Sequence, residues 1–76
     1  MVEKKYLIAI KNKFKDYKVT KMYDAGNGSI LFMIATKDGK PMVDNVHVIN
    51  KKLEITGYPI VKNPKEFQEI LKHPLN

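Results

Sequence analysis

The side chains that could perform nucleophilic or acid–base chemistry are few and scattered along this chain of 76 residues. Acyl transfer requires a nucleophile beside a base and an orienting acid. Ser29 falls in a glycine-rich turn outside a G-x-S-x-G context. Asp44 and His47 have a spacing that places them on opposite faces of a predicted strand. The sequence therefore predicts no catalytic residues and favours a protein that is not an enzyme.

The sequence also contains no set of residues suited to binding a metal ion, a phosphate or a cofactor. Cysteine is absent, and the two histidines, His47 and His73, lie 26 residues apart. Asp38 and Asp44 are too loosely spaced around His47 to complete a metal site. The segment 26–29 is rich in glycine but leads into a strand, so no helix N-terminus points at it. We expect no metal and no cofactor.

Lysine is the residue type whose distribution suggests a binding function. The net charge is +6, and residues 1–21 carry seven lysines against two acids, which gives +5 for that segment alone. A phosphate backbone is one partner for such a surface. Arginine, which commonly reads base edges, is absent, so only nonspecific contact is expected. A general compositional bias toward lysine is the alternative explanation. The candidate nucleic-acid contacts are Lys4, Lys11, Lys15 and Lys18.

The element expected to carry these lysines is an N-terminal helix over residues 2–17. Apolar residues recur there at steps of four, four, four and three, which is the spacing of one helix face. The lysines fall on the opposite side, where Ile8 is the one misplaced apolar residue. A strand over Tyr6–Ile10 is the competing interpretation. The apolar stripe comprises Val2, Tyr6, Ile10, Phe14 and Tyr17.

Four strands joined by short turns are predicted after this helix. Gly26-Asn27-Gly28 and Asp38-Gly39 are typical hairpin sequences. The second predicted strand, Ile30–Ala35, is apolar on both faces, which is expected of a strand in the centre of a sheet. The predicted ranges are 18–23, 30–35, 43–49 and 53–58.

A short helix is predicted at the C-terminal end of the chain. Asn63 is a suitable N-cap, Pro64 suits the first helical position, and the Glu66 carboxylate could reach back to the cap. Glu66 and Glu69 then share a solvated helix surface. The sequence thus predicts a single α+β domain, residues 1–76, in the order α-β-β-β-β-α. Its sheet is an antiparallel meander of three to four strands, flanked by the N-terminal amphipathic helix and the short C-terminal helix.

The function predicted from this architecture is protein–protein interaction. If both helices cover the same sheet face, the other face exposes large apolar residues, and such patches commonly mark interfaces. A homodimer or a partner protein would cover it and add stability to a small domain. If the helices divide, one per face, the patch disappears. The candidate interface residues are Leu31, Met33, Met22 and Met42.

Location is inferred from the length of the first apolar run. Tyr6–Ile10 spans five residues before lysines interrupt it, which is shorter than a secretory or membrane-spanning segment requires. We therefore expect a cytoplasmic protein without membrane contact. The leading hypothesis is a small non-enzymatic interaction module that self-associates, and the alternative is a basic protein that binds nucleic acid nonspecifically.

Overall fold

A computed structural model describes residues 2–75 and contains two α-helices and one sheet. Helix α1 spans Lys4–Lys13 and helix α2 spans Pro64–Ile70, preceded by a 3₁₀ turn at Ile60–Lys62. The strands are β1 (Tyr17–Gly26), β2 (Ser29–Thr36), β3 (Val46–Ile49) and β4 (Ile55–Gly57). They form an antiparallel sheet in the order β1-β2-β3-β4. The predicted α-β-β-β-β-α order and the antiparallel meander are confirmed.

Helix α1 is shorter than the sequence pattern predicts. It ends at Lys13, because Phe14 leaves the helical region with φ −116° and ψ 57°. The Tyr17 N–H then donates to the Phe14 carbonyl at 3.2 Å, and the chain turns directly into β1. Phe14 and Tyr17 therefore meet across a turn instead of continuing one helix face, with ring centroids 6.2 Å apart.

The hairpin between β1 and β2 is held against α1. Asn27 and Gly28 both have positive φ, 52° and 76°, which is the conformation expected of an Asn-Gly turn between twisted strands. The Tyr6 hydroxyl donates to the Gly28 carbonyl at 2.8 Å. This bond fixes the N-terminal half of α1 over the hairpin.

Strand β4 begins at Ile55, two residues later than predicted. The Asn50 side-chain oxygen accepts the N–H groups of Lys52 and Glu54 at 2.9 and 3.0 Å. Leu53 adopts a left-handed conformation with φ 66° inside this turn. A local side-chain hydrogen bond therefore keeps Leu53 out of the strand.

The two helices pack on opposite faces of the sheet. Helix α1 covers the face that carries Ile30, Phe32 and Ile34, and α2 covers the face that carries Leu31 and Val46. Leu31 and Phe32 are both 0% exposed, so neighbouring residues of β2 are buried on opposite faces. The central position predicted for this strand is confirmed. Of the two helix arrangements that the sequence leaves open, the structure has the one in which the helices divide, one per face.

Helix α2 begins at Pro64 as predicted, but its capping differs. The Asn63 side chain makes no capping hydrogen bond. Glu66, predicted to reach back to the cap, instead accepts a short hydrogen bond from the Tyr58 hydroxyl. The Tyr58 and Phe67 rings lie 5.9 Å apart between their centroids. Contacts with the segment after β4 thus position α2.

Candidate partner-binding groove beside helix α1

The four candidate interface residues do not form one surface. Leu31 is buried under α2, whereas Met22 is 8% exposed and buried under α1. Met33 and Met42 are half-buried and lie on opposite faces, with α2 and α1 respectively. The proposed apolar interface is therefore corrected: alternation along β2 and the division of the helices place these side chains within two separate cores.

Three of the four candidate lysines do lie together. Lys11, in the last turn of α1, Lys15, in the following turn, and Lys18, in β1, line one groove of about 440 Å³. Lys4 lies at the other end of α1 and takes no part in it. The lysines predicted from one helix stripe are thus brought together by the turn that follows the helix.

The other residues of this groove are mainly apolar. They come from the C-terminal half of α1, from the turn and from the first residues of β1. Phe14 anchors the groove to the core, because its ring lies edge-on to Phe32 with centroids 5.8 Å apart. The groove therefore has an apolar floor and a lysine rim. The remaining lining residues are Leu7, Ile10, Phe14, Tyr17 and Val19.

The charge around the groove is positive and largely uncompensated. Residues 11–21 carry five lysines and a single acid, Asp16, which gives +4. Ion pairs between residues 2 and 75 engage Lys5, Lys40 and Lys72, and none of the groove lysines. A surface of this kind attracts anionic ligands, most strongly at low ionic strength.

The groove reaches the outer edge of the sheet. Tyr17, Lys18 and Val19 line the groove in succession. Because alternate residues of a strand face opposite sides of the sheet, a groove lined by consecutive residues must extend to the strand's edge. Strand β1 is the first strand in the sheet order, so β2 is its one neighbouring strand among the described residues. In the part of the chain that the structure describes, residues 18–21 make no backbone hydrogen bond beyond that ladder.

Val19 presents both of its backbone groups at this edge. It pairs with Ile34, whose N–H donates to the Asn45 carbonyl on the far side of β2 at 2.9 Å. Val19 and Ile34 are therefore a non-hydrogen-bonded antiparallel pair, and the N–H and C=O of Val19 point outward. Thr20 is the extra residue of a bulge between Val19 and Lys21.

The C-terminal segment closes the other half of the same edge. The Asp24 N–H donates to the His73 carbonyl at 2.8 Å, and the Leu75 N–H donates to the Met22 carbonyl at 2.9 Å. Tyr23 and Pro74 form an antiparallel bridge between these bonds. The chain thus completes β1 at residues 22–24 and leaves residues 18–21 open.

His47 lies behind the groove, on the core side of Phe14. Its ring is 4.8 Å from Phe14 and 5.7 Å from Phe32, measured between centroids. Its Nδ1 is buried without a hydrogen-bond partner among the described residues. Burial lowers the pKa of His47 below its usual value, and Lys13 acts in the same direction, whereas the Asn45 backbone and the Asp44 carboxylate oppose the shift. A neutral aromatic histidine suits this position.

Two further grooves have linings that do not indicate a particular kind of partner. One, of about 520 Å³, has Val43 and Val61 on its walls, which are 99% and 94% exposed. Val43, predicted to open the third strand, lies in the loop before β3. This groove carries charges of both signs, Asp44 and Lys62, so charge does not define a partner for it.

The other groove, of about 360 Å³, lies between the end of β1 and α2. Asp24, Glu66 and Glu69 give it an acidic character, with His73 beside them. Between residues 2 and 75, no three His, Asp or Glu side chains are grouped so that they could hold a metal ion.

Neither described helix is long and apolar enough to cross a membrane. Comparison of the chain with protein-family models, with curated proteins and with solved structures finds no match.

Proposed function

We propose that this chain is a non-enzymatic interaction module that binds an acidic protein partner in the groove between α1 and β1. The observation that supports this most directly is the combination of an apolar floor with a rim of three lysines that have no ion-pair partner between residues 2 and 75. A partner that carries both carboxylates and apolar side chains matches both features.

Nucleic acid is the second candidate, because all four of the lysines predicted to contact it are exposed. The groove favours a protein partner for two reasons. Its floor is apolar, and its aromatic side chains Phe14 and Tyr17 pack edge-on against each other, which leaves no stacking platform for successive bases.

The test uses a fluorescein-labelled octapeptide of alternating Glu and Val, whose anisotropy is measured at low salt with increasing protein. One variant replaces Lys11, Lys15 and Lys18 with Gln. The matched control replaces three exposed lysines outside the groove, Lys52, Lys62 and Lys65, with Gln. Both variants lose the same net charge.

We expect the groove variant to bind at least roughly tenfold more weakly than the control, since each exposed charge pair contributes up to about 1 kcal/mol. Equal weakening of both variants would show attraction to overall charge and would contradict the proposed site. A labelled mixed DNA and RNA pool is measured in parallel. If it binds more tightly than the peptide, with a steep salt dependence, the nucleic-acid function replaces the one proposed here.

A further inference from the structure

We infer that the acidic partner binds as an extended strand that adds to the outer edge of β1 at Val19. This inference rests on the proposed function and specifies how the same groove is used. Strand addition supplies affinity through main-chain hydrogen bonds and specificity through alternate side chains.

The first argument is the backbone of β1. The outward N–H and C=O of Val19 can exchange two hydrogen bonds with one residue of an incoming antiparallel strand. Further along the same edge, residues 73–75 already add to β1 through Asp24 and Met22. The open half is thus a continuation of an edge that the protein itself uses for strand-like pairing.

The second argument is the position of the side chains on the two sides of this edge. Val19 packs on the α1 face, beside the apolar floor of the groove. Lys21 pairs with Met33, which lies on the α2 face, and Lys18 pairs with Ala35, two residues further along β2. Lys18 and Lys21 therefore flank Val19 on the opposite face.

An incoming strand has the same alternation. A residue opposite Val19 points its side chain into the groove, and its two neighbours point toward Lys18 and Lys21. The matching sequence has an apolar residue between two acidic ones. Lys11 and Lys15, on the groove rim, provide further attraction for carboxylates along the strand.

The third argument concerns which partner this edge rejects. Lysines and bulges on an edge strand oppose pairing with an identical strand. A second copy of this chain would bring Lys18 and Lys21 against the same two lysines. An acidic strand is attracted by the charges that repel a second copy, so charge complementarity selects the acidic peptide.

The experiment compares two labelled octapeptides, one of alternating Glu and Val and the other identical except for N-methyl groups on its four central amides. N-methylation removes the central N–H donors on both edges of the strand but keeps the charges and side chains. We expect the methylated peptide to bind at least about tenfold more weakly, because the hydrogen bond to the Val19 carbonyl is lost and the methyl groups obstruct close approach to the edge.

The protein variant that tests the same contact is Val19→Pro. Proline removes an N–H that is not part of the β1–β2 ladder, and proline is accepted on edge strands. We expect Val19→Pro to weaken binding of the unmethylated peptide about fivefold or more, whereas Val19→Ala, which keeps the N–H, should weaken it less. Circular dichroism establishes that both variants are folded, and the methylated peptide tests the contact on the unaltered protein.

The outcomes separate the two proposals. If the peptide binds through the groove lysines but ignores both N-methylation and Val19→Pro, strand addition is wrong and the groove function stands. If binding does not depend on the groove lysines, the proposed function itself fails. If a concentration series shows a dimer that is lost in Val19→Pro, the edge accepts a second copy and the acidic-peptide inference is overturned.

Discussion

The outer edge of β1 is closed by the chain at one end of the strand and open at the other. At residues 22–24 the outer edge is closed by the C-terminal segment, and the neighbouring groove is acidic, with Asp24, Glu66 and Glu69. At residues 18–21 the edge is open and the neighbouring groove is rimmed by lysines. One strand therefore contributes to a completed structural edge at one end and to an unoccupied edge at the other.

This difference indicates where to look for function in a small domain. Exposed strand edges favour unwanted pairing, and proteins usually cover, shorten or charge them. The chain covers the acidic half with its own residues and protects the basic half with Lys18, Lys21 and a bulge at Thr20. Charge protection differs from coverage because a partner of opposite charge can overcome it.

The largest effect is expected from removing the cover of the closed half. A chain that ends after Lys72 loses the hydrogen bonds of Asp24 and Met22 and the packing of half-buried Leu75 against the α1-face core. We expect the free energy of unfolding, measured with urea, to fall by about 2–4 kcal/mol.

Hydrogen exchange of single amides tests directly whether the two halves of β1 differ in solution. In the full chain the Asp24 amide should exchange slowly and the Val19 amide fast, because only the first has an acceptor. In the shortened chain both amides should exchange fast. Fast exchange of Asp24 in the full chain would show that its edge is not closed in solution, and the contrast between the halves would be lost.

The sequence predicted the fold better than it predicted the site, for a physical reason. Apolar periodicity and turn residues report local conformation, so the element order and the central position of β2 followed from Ile30–Ala35 and its flanking turns. The division of the helices between two faces depends on packing between distant segments. Because the helices divide in this way, Leu31 is buried in a core and is not part of an exposed interface.

The lysine-rimmed groove also depends on contacts between segments, which local sequence patterns do not report. The continuous stripe from Val2 to Tyr17 predicted one long helix, with Phe14 and Tyr17 facing the core. The helix ends at Lys13, and the turn that follows brings these rings beside Val19 of β1. The alternation of Tyr17 and Val19, directly after the lysines, was the available signal for an earlier strand. The open backbone of Val19 depends on sheet register, which the residue types do not determine.

Acidification should destabilise the protein through His47, whose ring lies behind Phe14. Burial lowers the pKa of His47 in the folded state below its value of 6.5 in the unfolded chain. The unfolded state therefore binds a proton more readily as the pH falls below about 6.5. Stability from His47 is complete above that pH and is lost as the pH falls through the folded-state pKa.

The charges that face His47 are Lys13 of α1 and Asp44 before β3, and these act in opposite directions. The measurement compares urea unfolding of the natural protein and of His47→Leu between pH 7.5 and 5. Carboxylates titrate in both, so the difference isolates His47. We expect the variant to lose less stability on acidification. Equal losses would show that the His47 ring is solvated and does not couple pH to Phe14.

The smallest effect is expected at the contact that anchors α2 beside the closed half. Burial, followed by the hydrogen bond to Glu66, raises the pKa of the Tyr58 phenol to about 12. Because the unfolded phenol ionises near pH 10, this stability is complete below about pH 10 and is lost as the pH rises toward 12. Tyr58→Phe removes the hydroxyl but keeps the ring contact with Phe67. We expect a loss of about 0.5–1 kcal/mol at pH 7, because the bond is largely exposed to solvent.

Spectrophotometric titration distinguishes this contact from simple ring packing. In the natural protein Tyr58 should ionise in a late step near pH 12, and Tyr58→Phe should abolish that step. Tyr17→Phe is the matched control, since Tyr17 makes no described hydroxyl hydrogen bond and lines the open groove. If the late step persists in Tyr58→Phe, Glu66 does not hold the phenol. In that case α2 is positioned by Ile70 and Phe67 packing alone, and the closed half of the molecule depends on apolar contacts and the C-terminal segment.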